Sequence, residues 1–247
     1  MSKAKLIGVL FAIVGAMTLL AILFFTGYLG FNYPTNSRYP VRGIDVSHHQ
    51  GEIVWDELAT GNVSFVYMKA TEGADHQDRR FHENWAAAGA AGIPRGAYHF
   101  FTFCTPGSAQ AENFLNTVPQ AATSLPPAID IEFSGNCKNW SSLDEIRAEL
   151  QAFVKRVEQA SGNRPVLYVT ERGYEVVAGH FPGHDLWMRS IFQKPRPRSG
   201  RPWTFWQFTD RGRRPGIEGF VDLNVFNGTA TDFEVLLERS AAESFAR

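Results

Sequence analysis

Between Lys5 and Arg38 the chain carries no charge. Residues 6–31, LIGVLFAIVGAMTLLAILFFTGYLGF, are uncharged and mostly apolar throughout. A secretory signal core is about 7–15 residues long, and a helix that crosses a bilayer needs about 20. The run is too long for the first and long enough for the second, and no clear A-x-A site follows it. Residues 1–31 therefore read as an uncleaved signal anchor, with cleavage as a secretory signal the alternative. Lys3 and Lys5 before the run and Arg38 and Arg42 after it give little charge bias. The very short N-terminal tail favours a cytoplasmic N-terminus with the rest of the chain outside the cytoplasm. NYPTNSRYP (32–40) reads as a short linker, and residues 41–247 as one domain.

The part beyond the anchor contains eight runs of strand length: VRGIDVS (41–47), FVYMKAT (65–71), GAYHFF (96–101), PAIDIEF (127–133), PVLYVT (165–170), DLWMRSIF (185–192), WTFWQFT (203–209) and VDLNVF (221–226). Each is rich in β-branched or aromatic residues and bounded by Gly, Pro or polar residues. Several are almost continuously apolar, as strands buried on both faces are. Helical patterns alternate with them. In SSLDEIRAELQAFVKRVEQASG (141–162), Leu143, Ile146, Leu150, Phe153 and Val157 form one stripe; Ser142 and Glu145 make a capping box and Gly162 a stop. Residues 81–92, 106–118 and 231–243 also read as helices. About eight strands alternating with helices predict an α/β fold, a (β/α) barrel of TIM-like kind. Little helix is available late in the chain, so the helix ring is expected to be incomplete and the barrel irregular.

PAIDIEF raises the chemical question. Successive side chains on a strand point to opposite faces, so Asp130 and Glu132 share a face with Cα atoms roughly 6.5–7 Å apart. Two nearby carboxylates resist ionising together, and one pKa rises. A proton-bearing carboxyl beside an ionised one is what glycoside hydrolysis requires. Asp45 ends the first strand and Asp222 begins the last. Three strands then deliver acids to the end of a barrel where active sites lie.

Taken in order, GIDVSHHQG (43–51), FVYMKATEG (65–73), GAYHFF, LPPAIDIE (125–132), LYVT (167–170), WTFWQFT and VDLNVFNG (221–228) resemble the lysozymes of glycoside hydrolase family 25. The resemblance runs from about residue 41 to 235. It implies an irregular β/α barrel that cleaves the β-1,4 bond between N-acetylmuramic acid and N-acetylglucosamine in peptidoglycan, with net retention. Carried over by motif, Glu132 matches the general acid. Asp130 would steady the reacting sugar or its N-acetyl group, and Asp45 and Asp222 would tune and position these two. Tyr98 and Tyr168 match tyrosines lining the family's cleft. Trp187 and Trp206 suit either sugar stacking or core packing. The chain departs from the family where QGxIDW becomes QGEIVW, with Val54, and where LW-x-A-x-Y becomes LWMRSIF, with Arg189 and Phe192. If Trp187 faces the cleft, so does Arg189, to hold an acid ionised or to bind a substrate carboxylate; otherwise Arg189 reaches solvent.

Cys104 and Cys137 follow two neighbouring predicted strands, on the side that would be outside the cytoplasm. A disulfide there would brace the loop after the catalytic strand; two free buried thiols are the alternative. His48 and His49 do not make a metal site: adjacent on a strand they face opposite ways, and no further ligand follows at metal spacing. No dinucleotide or phosphate-loop motif is present, so no cofactor is expected. The net charge of −1 argues against nucleic-acid binding. Between Lys194 and Arg214 seven basic residues accompany one acid, Asp210, which reads as a solvated loop. The expected partners are peptidoglycan glycan strands and, through the N-terminal helix, a membrane. A non-catalytic glycan-binding barrel is the second reading. A chitinase-like glycosidase is disfavoured, because Ala128, Pro127 and Pro126 stand where its longer acid motif would lie.

Overall fold

The computed structural model describes residues 2–30, 32–119, 125–140, 142–198 and 200–245. Met1 and Phe31, the limits of the predicted anchor, and Ala246 and Arg247 at the end of the predicted domain lie outside these residues.

Helix α1 (Lys3–Phe25) has none of its residues buried and meets the barrel at its C-terminal end, where Phe24 and Phe25 lie. The strands are β1 (Arg42–Val46), β2 (Phe65–Glu72), β3 (His76–Gln77), β4 (Arg95–Phe100), β5 (Ala128–Ile131), β6 (Val166–Val169), β7 (Leu186–Arg189), β8 (Phe205–Gly212) and β9 (Val221–Phe226). Eight of them close a barrel in the order β1, β2, β4, β5, β6, β7, β8, β9, which returns to β1. The short β3 folds back antiparallel onto β2 outside the ring. Strands β1 to β8 of the ring run parallel, whereas β9 is antiparallel to both β8 and β1. A parallel crossover needs a dozen or more residues; only residues 213–220 join β8 to β9. This reversal has a consequence for the acids: the beginning of β9 lies at the same end of the barrel as the end of β1.

The helix ring is incomplete, as expected. Helices α2 (Trp55–Thr60), α3 (Phe81–Ala90), α4 (Gly107–Thr117), α5 (Leu143–Ser161) and the single turn α6 (Tyr174–Val177) cover the early strands. Among the described residues, no helix follows β7 or β8. In α5 the Ser142 hydroxyl accepts from the Glu145 N–H at 3.2 Å, Ile146, Leu150, Phe153 and Val157 are buried, and Gly162 ends the helix in the left-handed conformation.

Two hydrophobic layers result from strand alternation. The outer layer packs Ile44, Val66, Met68, Ile129 and Leu167 against the helices. The inner layer fills the barrel with Phe65, Tyr67, Trp187, Phe205 and Phe226, and α7 (Ala230–Phe245) seals one end with Phe233 and Leu236. Gly43 and Gly96 leave room for two of these rings: a Cβ would strike Phe65 at the first and Tyr67 at the second.

Two sequence readings need correction. The segment 32–40 is not a free linker. Arg42 donates to the Pro34 carbonyl (3.1 Å) and to Asn36 Oδ1 (2.8 Å), the Tyr33 ring lies 5.1 Å from Phe208, and Tyr39 is buried against Trp203 and Trp206. The basic stretch is not one solvated loop either, because β8 continues through Asp210 and Arg211 to Gly212.

Candidate active site

The open end of the barrel, opposite α7, holds a cleft of about 390 Å³. Asp45, Asp222, Asp130 and Glu132 all line it, together with Tyr98, Tyr168, Trp187 and Arg189. Glu132 lies one residue past β5, still on the face it shares with Asp130.

Asp45 and Asp222 are directly opposed in the β1–β9 ladder. Like charges so placed repel. Burial, and then Asp45 beside it, push the Asp222 carboxyl well above the usual carboxylate range. Burial also raises Asp45, but hydrogen bonds pull the other way. Asp45 Oδ1 accepts from Asn224 Nδ2 (2.7 Å) and Gln207 Nε2 (3.0 Å). The amides are themselves fixed: Trp187 Nε1 donates to Asn224 Oδ1 (2.8 Å), and the Tyr168 hydroxyl donates to Gln207 Oε1 (3.0 Å). The chain Tyr168–Gln207–Asp45–Asn224–Trp187 crosses the cleft floor and leaves Asp45 little freedom to move.

Asp130 lies between Phe100 on β4 and Tyr168 on β6. Its carboxyl is pushed well above its ordinary value by burial first, then by Glu132 and Asp45. Its Oδ1 is buried and has no hydrogen-bond partner. Such an atom is costly unless a ligand satisfies it. Burial raises Glu132 too, while Arg189 and Lys69 draw it down. Tyr98 and Tyr168 remain phenols, raised well above their ordinary value by burial and by the surrounding acids.

The backbone beyond Glu132 is braced. Asn136 Nδ2 donates to the carbonyls of Glu132 (2.9 Å) and Phe101 (2.8 Å), and its Oδ1 accepts from the Phe103 N–H (2.9 Å). Beside it Cys104 and Cys137 form the expected disulfide, with Cα atoms 6.2 Å apart. The loops after β4 and β5 are thereby joined.

Arg189 does face the cleft, but its partner is none of the four acids. Its Nη2 donates to Asp210 Oδ2 at 2.8 Å. Trp187 is on the cleft floor, 2% exposed and packed against Tyr67 and Tyr168, so it offers no open ring face for sugar stacking. Trp206 is not in the cleft. Phe205 and Gln207 point into the barrel, and Trp206 between them points out, donating to the Ser190 carbonyl at 2.8 Å and packing on Trp203 and Phe208. His48 and His49 lie on a short 3-10 turn (His48–Gln50), not on a strand, with ring centroids 4.0 Å apart. Both the ring and the N–H of His48 bond the buried Asp78, at 2.7 and 2.9 Å, and His49 lines the cleft.

Gln207, Asn224 and Asn136 were not singled out from sequence, and Asp210 was read only as the acid of a solvated basic loop. A signal existed for Asn224: it is two residues from Asp222 on the same strand, hence on the same face. Gln207 likewise is a lone amide in an aromatic strand.

A closed barrel that gathers four carboxylates at one open end, with tyrosines and a tryptophan between them, defines a barrel glycoside hydrolase. Comparison with known proteins agrees. The family described as Glycosyl hydrolases family 25 matches residues 44–217. Lysozyme M1 of Streptomyces globisporus is 36% identical over 213 residues, covering 81% of this chain and 72% of its own. The uncharacterized protein YegX of Escherichia coli K12 is 35% identical over 206 residues, covering 81% and 74%. The solved structure of a family 25 glycosyl hydrolase from Bacillus anthracis superimposes with a TM-score of 0.78 at 38% identity, over 83% of this chain and 96% of that one. The chain belongs to glycosyl hydrolase family 25.

Proposed function

We propose that this glycoside hydrolase is a muramidase, cutting the β-1,4 bond between N-acetylmuramic acid and N-acetylglucosamine in peptidoglycan. The likeness to lysozyme M1 supports the substrate. The observation that carries the mechanism is the unpartnered Oδ1 of Asp130 beside Glu132 in an open cleft.

The two carboxyls titrate as a unit, and burial keeps a proton on the pair. When glycan binds, the acetamido N–H of the reacting sugar donates to the free Asp130 oxygen. A donor to the ionised form lowers that carboxyl's pKa, so the shared proton rests on Glu132. Glu132 then protonates the glycosidic oxygen as its bond to C1 breaks. The acetamido oxygen, aimed by the N–H that Asp130 holds, closes on C1 from the opposite face. Water opens this intermediate as Glu132 takes back a proton, and the two inversions give retention. Arg189 and Lys69 keep Glu132 from holding its proton too tightly. Asp45 and Asp222 anchor the floor on which this pair stands.

Helix α1 serves in this reading as a membrane anchor, with residues 41–247 as the catalytic domain outside the cytoplasm. Its 23 residues, mostly apolar and none of them buried, support that role. A mature protein beginning near residue 32 would instead identify a cleaved signal.

The test uses the full chain, purified in detergent, on isolated peptidoglycan, with the new ends reduced and identified. Reduced N-acetylmuramic acid at the new ends is expected. Reduced N-acetylglucosamine, or no new reducing ends, would contradict the assignment.

A further inference from the structure

The anchor and the cleft share a strand. On β8, Asp210 lines the cleft, and the next residue, Arg211, faces α1 with its guanidinium 5.6 Å from the Phe24 ring and 5.0 Å from Phe25. Arg213 donates from Nε to the Thr26 carbonyl at 3.2 Å and lies over Tyr28 (5.3 Å) and Phe220 (5.0 Å). Phe192, in the loop after β7, stacks on Phe24 at 6.5 Å. The approach is close enough to dictate a residue: Gly27 has φ +76°, and a Cβ there would strike the Arg211 carbonyl oxygen. Among the described residues that lead on to β1, Tyr33, Pro34, Asn36 and Tyr39 each contact the barrel wall.

A helix of 23 residues is about 34 Å long, close to the roughly 30 Å of a bilayer's hydrocarbon core. Phe24 and Phe25 then mark where that core ends. The residues meeting them are of the kind that sits at headgroup level. Phe192 and Tyr28 are each 73% exposed and Phe220 is 39% exposed, with Arg211 and Arg213 among them. Aromatic rings and long cationic side chains with apolar stems suit that boundary. Rings that stay this exposed after gathering leave an apolar patch open, as an interaction surface does.

We propose that the barrel sits directly on the bilayer, with Phe192, Tyr28, Phe220 and Arg213 as its contact with lipid headgroups. The cleft rim at Asp210 is therefore held at the membrane surface, and the glycan it can reach is the layer lying against the lipid. The proposal rests on the reading of α1 as an uncleaved anchor. It adds a substrate restriction that a barrel on a flexible tether would lack.

Both native cysteines are in the disulfide, so single labels can be placed in the full chain. Phe192→Cys and, as the comparison, Val235→Cys on α7 at the sealed end of the barrel (58% exposed) would carry a bimane. Each protein would be reconstituted into vesicles containing lipids spin-labelled at the headgroup. Quenching several-fold stronger at 192 than at 235 is expected. Equal, weak quenching in protein that floats with the vesicles would overturn the docking while leaving the anchor reading intact. Protein that does not float would overturn both. A Gly/Ser insertion between Phe25 and Thr26 tests the reach. Vesicle-bound enzyme with the insertion should cut added peptidoglycan sacculi several-fold faster than the wild type, with equal rates in detergent. Equal rates on vesicles would overturn the restriction, and inactivity of both forms in detergent would fault the enzymatic reading instead.

Discussion

Asp45 and Asp222 face one another across the antiparallel seam between β1 and β9, and burial raises both carboxyls, Asp222 the more strongly. The Asp222 carboxyl is well above its ordinary value of 3.8 in the folded protein. Between the unfolded and folded pKa the native state binds the extra proton, so this group's contribution to stability is fully present below about pH 4 and is lost as pH rises through the folded pKa. Asp222→Asn removes that dependence. Thermal unfolding followed from pH 4 upward should fall less steeply in the variant than in the wild type. Parallel curves would mean the two acids do not share a proton.

Asn224 is expected to act by positioning. Asn224→Leu strips Asp45 of one donor and leaves the Trp187 N–H without its acceptor. An unsatisfied buried group costs about 1–3 kcal/mol, so Tm should drop. Loss of a donor to Asp45 also raises the acid's pKa further, so kcat and its pH profile should change more than KM. A change in Tm alone, with an unaltered profile, would reduce Asn224 to a packing residue.

For Arg189 the sign is set by Glu132, whose pKa the guanidinium lowers. If Glu132 works in its protonated form, activity falls as pH rises through its pKa. Arg189→Ala should therefore shift the alkaline limb of kcat to higher pH. It also leaves Asp210 with only the longer contact to Arg211 at 3.6 Å in place of its 2.8 Å bond to Arg189. An unmoved alkaline limb, with unchanged preference between peptide-bearing and bare glycan, would show that Arg189 serves only Asp210.

The disulfide spans a sequence separation of 33. A closed loop of that length stabilises by about 3–4 kcal/mol in the chain-entropy account. The double variant Cys104→Ser, Cys137→Ser should lose an amount of that order in denaturant unfolding, while Asn136 still ties the two loops in the folded state. No loss of stability would show that the asparagine bracing suffices by itself.

The eight barrel strands were legible because each is a compact β-branched or aromatic run between breakers. The acids were legible because Asp130 and Glu132 break an apolar run at a spacing of two. What was hidden followed from physics that local sequence does not carry. In WTFWQFT both faces are buried, so alternation could not tell that Trp206 points outward and Gln207 inward. The charges of Asp210 and Arg211 masked a strand that continues because one side chain turns to Arg189 and the next to Phe24 and Phe25. NYPTNSRYP is polar enough to look like a tether, yet Tyr33 and Tyr39 dock on Phe208, Trp203 and Trp206. The reversal of β9 was readable only from the shortness of residues 213–220.

The central claim is that Glu132 gives its proton to the departing sugar. General acid catalysis of this kind contributes about 10²–10⁴-fold. The direct measurement compares Glu132→Gln with wild type on two substrates: peptidoglycan, whose leaving sugar needs that proton, and a dinitrophenyl glycoside of the same disaccharide, whose leaving group does not. A loss of about 10²-fold or more on peptidoglycan, with formation of the first dinitrophenolate equivalent nearly unimpaired, is the predicted result. Equal losses on both substrates, or near-normal turnover of peptidoglycan, would contradict it.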